Sequence, residues 1–243
     1  MKLLGIDVGT GGTRAVVIDK EGNVVASATG EHEPFASPQP GWAEQDPADW
    51  WRATIEAVRG VLAHLGASAA DEIAGIGFSG QMHGSTLLDE NQQILRPALI
   101  WCDQRTADQC SSITEKIGAA RLIELTSNPA LTGFTLPKML WVRDREPDVW
   151  PRVRSVLLPK DYLRYKLTGD VVSLDQQTQT ANIKGDKIEG WMEAMTMEYP
   201  VRDKAEFAKL AVGDRISATV FVDDVKYHIG EIQVTGKAAA APK

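Results

Sequence analysis

Asp7 closes an apolar run, KLLGIDV, and the next seven residues bring Thr10, Gly11, Gly12, Thr13 and Arg14. A carboxylate followed by glycines, two hydroxyls and a guanidinium suits the handling of phosphate. Glycines let backbone N–H groups come close to an anion, threonine hydroxyls donate hydrogen bonds, and Arg14 supplies charge. Asp7 can hold Mg2+ directly or through water. The same spacing also serves a plain hairpin turn. It is neither a Walker nor a dinucleotide-binding motif, because the glycines open a strand rather than a helix.

Two further regions carry residues fit for chemistry. In GFSGQMHGSTLLD, Gln81 and His83 stand at the end of an apolar strand within a glycine loop, a place that presents side chains to a cleft. A loop histidine satisfied by its neighbours is the alternative. WCDQR, with Asp103, and LLPKDYLRY put charged groups straight after apolar runs. Later in the chain, WMEAMTM holds three of the six methionines beside a tryptophan. Strand alternation puts Met195 and Met197 on one face, with Trp191 and Met192 just before them. Thioethers favour Cu(I), and an indole can lie over the cation. A methionine-filled core accounts for the run equally well.

The elements that position these groups are legible in turn chemistry and periodicity. KLLGIDV, TRAVVID and VVASATGE, separated by GTGG and KEGN, predict an antiparallel meander. A Pro/Gly loop, PFASPQPGWAEQ, leads into a helix capped by Asp46, with Pro47 first and Gly66 closing it. EIAGIGFSGQ predicts a buried strand, and STLLDENQQILRPALIW a hairpin. DQRTADQCSSITEKIG predicts a helix capped by Asp103, TLPKMLWVRDREP a helix ending at its second proline, and SVLLPKDYLRYKLTG a strand and short helix. After Gly169 the texture becomes all-β, with short strands and one helical turn, KAEFAKL. There is no internal repeat.

The 243 residues are 43% hydrophobic and 24% charged, an ordinary globular balance with room for one large or two small domains. The net charge is −7, and residues 1–170 and 171–243 are each acidic, so nucleic acid is not an expected partner. Cys102 and Cys110 fit no zinc or redox spacing. With Asp7 interrupting the first apolar run, neither a signal peptide nor a membrane span is expected, and a cytoplasmic location is.

Six segments, GIDVGTGGTRAVVID, GWAEQDPADWW, GFSGQMHGSTLLD, RPALIWCDQR, GFTLPKMLWV and LLPKDYLRYKLTG, together resemble the N-terminal domain of the FGGY carbohydrate kinases, on their xylulokinase-like branch. The resemblance covers residues 1–169. It implies an α/β fold, part of a ribonuclease-H-like, actin-like ATPase domain, and phosphorylation of a pentulose with ATP and Mg2+. It implies that Asp7 lies by the phosphates and metal as the catalytic carboxylate. Thr10, Gly11, Gly12, Thr13 and Arg14 would form the phosphate-binding hairpin. Met82 and His83 would contact the ketose, with Gln81 beside them and Asp103 lining the sugar pocket. After KLTG the pattern stops, before the rest of the first domain and the second domain, which carries the general-base aspartate. General-base catalysis needs a carboxylate within hydrogen-bond reach of the attacking hydroxyl, and phosphoryl transfer needs donor and acceptor clamped together. The expectation is sugar or phosphate contact with little turnover, and an exposed apolar surface prone to self-association.

Residues 170–236 resemble the CusF-like copper(I)-binding domain, a small OB-like β-barrel. That resemblance implies Cu(I) or Ag(I) held by Met195 and Met197, with Trp191 or Met192 near the aromatic position. Gly185 stands where the family has a histidine ligand, and Met192 is the candidate replacement. Proteins of this type work in the periplasm, in conflict with the expected location. The resulting division is 1–169, 170–236 and a disordered tail, 237–243, with no linker at LTGDVVS.

Overall fold

The computed structural model describes residues 1–66, 72–167, 169–185, 195–223 and 226–237. The predicted meander forms as β1 (Lys2–Val8), β2 (Gly12–Ile18) and β3 (Val24–Glu31). A short strand, β4 (Glu44–Gln45), precedes α1 (Pro47–Leu65). The Asp46 side chain accepts from the Ala48 N–H, Pro47 occupies the first turn, and Gly66 ends the helix at a φ of 94°. The chain returns as β5 (Ile73–Gly80), parallel to β1, giving a four-stranded sheet of order β3-β2-β1-β5.

One face of this sheet and the apolar stripe of α1 make the main core. Leu4, Ile6, Val8, Ala15 and Val17 pack against Trp50, Ala57, Val58 and Val61. The helix lies close because the contact is built from small residues. A Cβ on Gly30 would sit 2.2 Å from the Ala53 carbonyl oxygen, and one on Gly60 2.8 Å from the Ala28 Cβ. The other face is open. At the end near the 9–12 turn it carries a polar row with one residue per strand, Ser79, Asp7, Arg14 and Thr29, all exposed.

Beyond the sheet come β6 (Thr86–Leu88), β7 (Ala98–Leu99), α2 (Ala107–Ile117), α3 (Ala119–Thr126), α4 (Thr135–Arg145), β8 (Ser155–Leu157) and α5 (Pro159–Lys166). Four features depart from expectation. The strand predicted to be buried, β5, lies at the edge of its sheet and none of its residues is buried. The hairpin predicted over 85–101 does not form a ladder. β6 pairs with β8 and β7 with β4, leaving single bridges at Leu88–Ile94 and Ser85–Leu99. Asp103 does not cap α2, which follows Thr106, because its carboxylate is held elsewhere. An additional helix, α3, starts at Gly118, whose φ of 85° breaks the chain between α2 and α3. As expected, α4 stops two residues before Pro147.

The β-rich part comprises β9 (Gly169–Asp175), β10 (Thr180–Gly185), β11 (Met195–Pro200), α6 (Lys204–Phe207), β12 (Arg215–Asp223) and β13 (Lys226–Gly236). Its strands form one sheet of order β11-β10-β9-β12-β13 around a small core of Val171, Ala181, Val201, Phe207, Leu210, Ile216, Ile229 and Ile232. The expected closed barrel is not found among the described residues. The edges meet at a single parallel bridge, Val201–Ile229, among the described residues. No helix among the described residues is long and apolar enough to cross a membrane.

Candidate functional site

The turn between β1 and β2 is a tethered loop. Gly9 N–H donates to the Gly12 carbonyl at 2.9 Å, and His32 N–H to the Gly11 carbonyl at 3.0 Å. Side chains hold it from below. Buried Gln45 donates through Nε2 to the Thr10 carbonyl at 2.7 Å, and its Oε1 accepts from the Trp50 indole at 3.1 Å and from Gln81 Nε2 at 3.0 Å. Gln81 Nε2 also reaches the Gly9 carbonyl at 3.2 Å. From above, Trp101 Nε1 donates to Thr10 Oγ1 at 2.9 Å. Gly12 must be glycine, since a Cβ there would lie 2.8 Å from the Gly30 carbonyl oxygen, while Gly11 faces open space. The turn is therefore fixed in place with its tip free.

The predicted residues divide. Asp7 stands exposed in the polar row and has no hydrogen bond or ion pair among the described residues. Its cross-strand neighbour Arg14, also exposed, donates Nη2 to Ser27 Oγ at 3.2 Å. Thr13 does not offer its hydroxyl to an anion. It is fully buried, with Oγ1 2.9 Å from His32 Nε2, because strand alternation turns it to the core face. Burial pushes the His32 imidazole below its ordinary pKa, favouring the neutral ring beside that hydroxyl. Gln81 belongs to the turn's support rather than to an open cleft.

Met82 is exposed and His83 half-buried, on the loop after β5. His83 has φ 65°, unusual for a residue with a side chain, and its ring stacks on Phe134 at a centroid distance of 4.4 Å and 27° between planes. Burial, then the nearby Lys138 charge, lowers its pKa. Asp103 is not presented to a cleft. It is fully buried, accepts from Ala43 N–H at 2.7 Å and pairs with Arg105 Nη2 at 2.7 Å. Arg105 in turn pairs with Glu44 at 2.8 Å and lies 3.6 Å over the Trp42 ring, while Arg96 bridges Glu44 and Glu146. Turn, Trp101, Met82, His83 and Phe134 thus border one surface, underlain by a buried ionic network.

Sequence patterns did not mark Gln45, Trp101, Phe134 or Lys138. Lys138, a lone lysine in the apolar run TLPKMLWV, is the one with a readable signal.

In the β-rich part, β11 pairs Met195 with Gly185 and Met197 with Ile183. Trp191 and Met192 lie outside the described residues. Among the described residues no group of three or more His, Cys, Asp or Glu could hold a metal ion.

Two family models match the chain, over ranges that overlap at residues 164–187. The model of the FGGY family of carbohydrate kinases, N-terminal domain, matches residues 2–187. That of the copper binding periplasmic protein CusF matches residues 164–234. The chain is 45% identical over 170 residues to a xylulose kinase from Klebsiella pneumoniae, covering 70% of this chain and 34% of that protein. It is 36% identical over 242 residues to a xylulose kinase from Lactococcus lactis, covering 94% and 46%. The solved xyloylose kinase from Brucella ovis superposes with a TM-score of 0.65 at 42% identity, over 71% of this chain and 35% of that one. The chain thus spans between a third and a half of the length of these relatives.

Proposed function

The chain belongs to the FGGY family of carbohydrate kinases, and we propose that residues 1–169 form the nucleotide- and ketose-facing portion of a xylulokinase-like phosphotransferase. The observation that carries this reading is the tethered glycine turn beside an unpartnered Asp7, with Met82 and His83 on the adjoining loop. An open carboxylate at a strand end fits Mg2+, which keeps several waters and needs only one or two protein oxygens. Gly11 at the tip offers backbone to a phosphate, and Arg14 its charge; Thr13 is left out of this role. Met82 and His83 would meet a pentulose such as D-xylulose, with ATP as phosphate donor.

Turnover needs a carboxylate within reach of the attacking hydroxyl. Asp103 is held by Ala43 and Arg105, and Asp7 lies on the open sheet face, so this chain binds without releasing ADP unless a complementing surface covers that face. That face, with Leu3 exposed on it, is also the surface for self-association. The test is calorimetric titration with MgATP and with D-xylulose alongside an ADP-release assay. The expected result is binding of both without ADP release, with nucleotide affinity reduced at least about tenfold in Asp7→Asn. Unchanged nucleotide affinity in Asp7→Asn overturns the assignment.

A second reading concerns residues 170–236, which we propose as a Cu(I)-binding module on an OB-like barrel. The five-stranded antiparallel sheet, with its edges approaching at the single Val201–Ile229 bridge, is compatible with a partly open barrel of this kind, and the CusF match supports the metal. Met195 and Met197 fit in donor type, two thioethers two residues apart on one strand. Met192 and Trp191 would complete the set. The position directly across from Met195 is Gly185, and opposed residues of an antiparallel pair share a face. Gly185→His is therefore expected to raise Cu(I) affinity by at least about tenfold in a chelator-competition titration, through an added imidazole. No gain in that variant counts against the module.

A further inference from the structure

We propose that Lys138 is a positioning residue for the ketose-facing loop: its buried amine pins the His83 backbone and draws the Phe134 loop onto the imidazole. This rests on the reading of Met82 and His83 given above. Lys138 projects from the first turns of α4 and is fully buried. Its Nζ donates to the His83 carbonyl at 2.8 Å and to the Gly133 carbonyl. These two acceptors lie on different loops, one preceding Gly84 and the other preceding Phe134, separated in the chain by β6, β7, α2 and α3. His83 is held at a positive φ, and Phe134 stacks on its ring. The Gly133 loop is wedged in turn, since a Cβ on Gly133 would lie 2.6 Å from the Trp101 carbonyl oxygen. Met82, His83, Phe134 and Trp101 therefore share one anchor.

An apolar side chain would fill the space taken by the lysine stem but would leave both carbonyls without that donor. What the lysine adds is the tie between the loops. Asp103, Cys102 and Arg105 face the same amine from the 102–105 turn, and His83 from its own loop.

The experiment uses the full chain, with Lys138→Met and Lys138→Gln beside the wild type. His83 ring signals in proton–carbon NMR spectra, identified by their absence in His83→Gln, report stacking on Phe134 through its ring current. In the wild type these signals are shifted by Phe134 and show two steps with pH. One is the ring's own titration, below the ordinary histidine value; the other, near 8, reports discharge of Lys138. Burial pushes the Cys102 thiol up, away from that second step. In Lys138→Met the ring-current shift and the second step disappear, and affinity for D-xylulose falls at least about tenfold. His83 ring signals unchanged in both variants overturn the proposal. If the variants fail to fold, the wild-type spectrum decides, and His83 signals with no ring-current shift from Phe134 overturn it. A wild type that shows the ring shift and both steps but does not bind D-xylulose overturns the ketose reading and leaves the positioning role standing.

Discussion

Arg105→Met is expected to lower unfolding free energy by about 3–5 kcal/mol, a third to a half of the stability of a domain held by about 10 kcal/mol. The Arg105 side chain is 1% exposed and that of Asp103 0%, and the two meet at 2.7 Å. Removing the guanidinium leaves Asp103 as a buried charge without its cation, and Glu44 keeps only Arg96. The planar group also lies flat on Trp42, 3.6 Å from the ring centroid, and Trp42 meets Trp141 edge-on at 5.4 Å. Arg105→Lys keeps the charge but neither the two-armed grip nor the stacking, and should fall between. Urea unfolding followed by tryptophan fluorescence measures both. A midpoint in Arg105→Met equal to that of the wild type would sink the network as a source of stability.

The second large effect is a rise of stability with pH. Burial brings the Lys138 amine down to about 8 from an ordinary 10.5. Below pH 8 both folded and unfolded chains carry the proton, and the folded state bears the full cost of a buried charge. Between 8 and 10.5 the unfolded chain binds more protons, so stability climbs with pH. From this group alone the gain is about 1.4 kcal/mol between pH 7 and 9, and about 3 kcal/mol across the whole interval. Burial raises the thiols of Cys102 and Cys110 above their ordinary 9, and Tyr162 to about 12. These groups ionise first in the unfolded chain and oppose the rise from about pH 9 upward. Urea midpoints at pH 7, 8 and 9 should therefore increase in the wild type and fail to rise in Lys138→Met. A level wild-type profile contradicts a buried amine titrating near 8.

Local chemistry made the meander and α1 legible, because Asp46, Pro47, Gly66 and the glycine turn act within a few residues of themselves. The family segments marked Asp7, the turn and Met82-His83, which the fold brings to adjoining surfaces. What stayed hidden depends on partners far along the chain. Asp103 reads as a helix cap until Ala43, sixty positions away, claims its carboxylate. Thr13 reads as a phosphate hydroxyl until the alternation of β2 turns it towards His32. The 85–101 run reads as a hairpin because only tertiary contact reveals β8 as the partner of β6. Gln45 carries no motif at all, yet it connects Trp50, Gln81 and the backbone of Thr10. The closed barrel failed at the edges, where a single bridge stands in for a ladder.

The bond from Trp101 to Thr10 gives the molecule an intrinsic optical reporter. Trp101 is the exposed indole among the described tryptophans, and its N–H is bonded to Thr10 of the glycine turn. A dissolved quencher such as iodide reaches this fluorophore far more readily than the sheltered Trp50 or Trp141. Iodide-quenchable emission that is lost in Trp101→Phe therefore reports the surroundings of the glycine turn, with no dye attached.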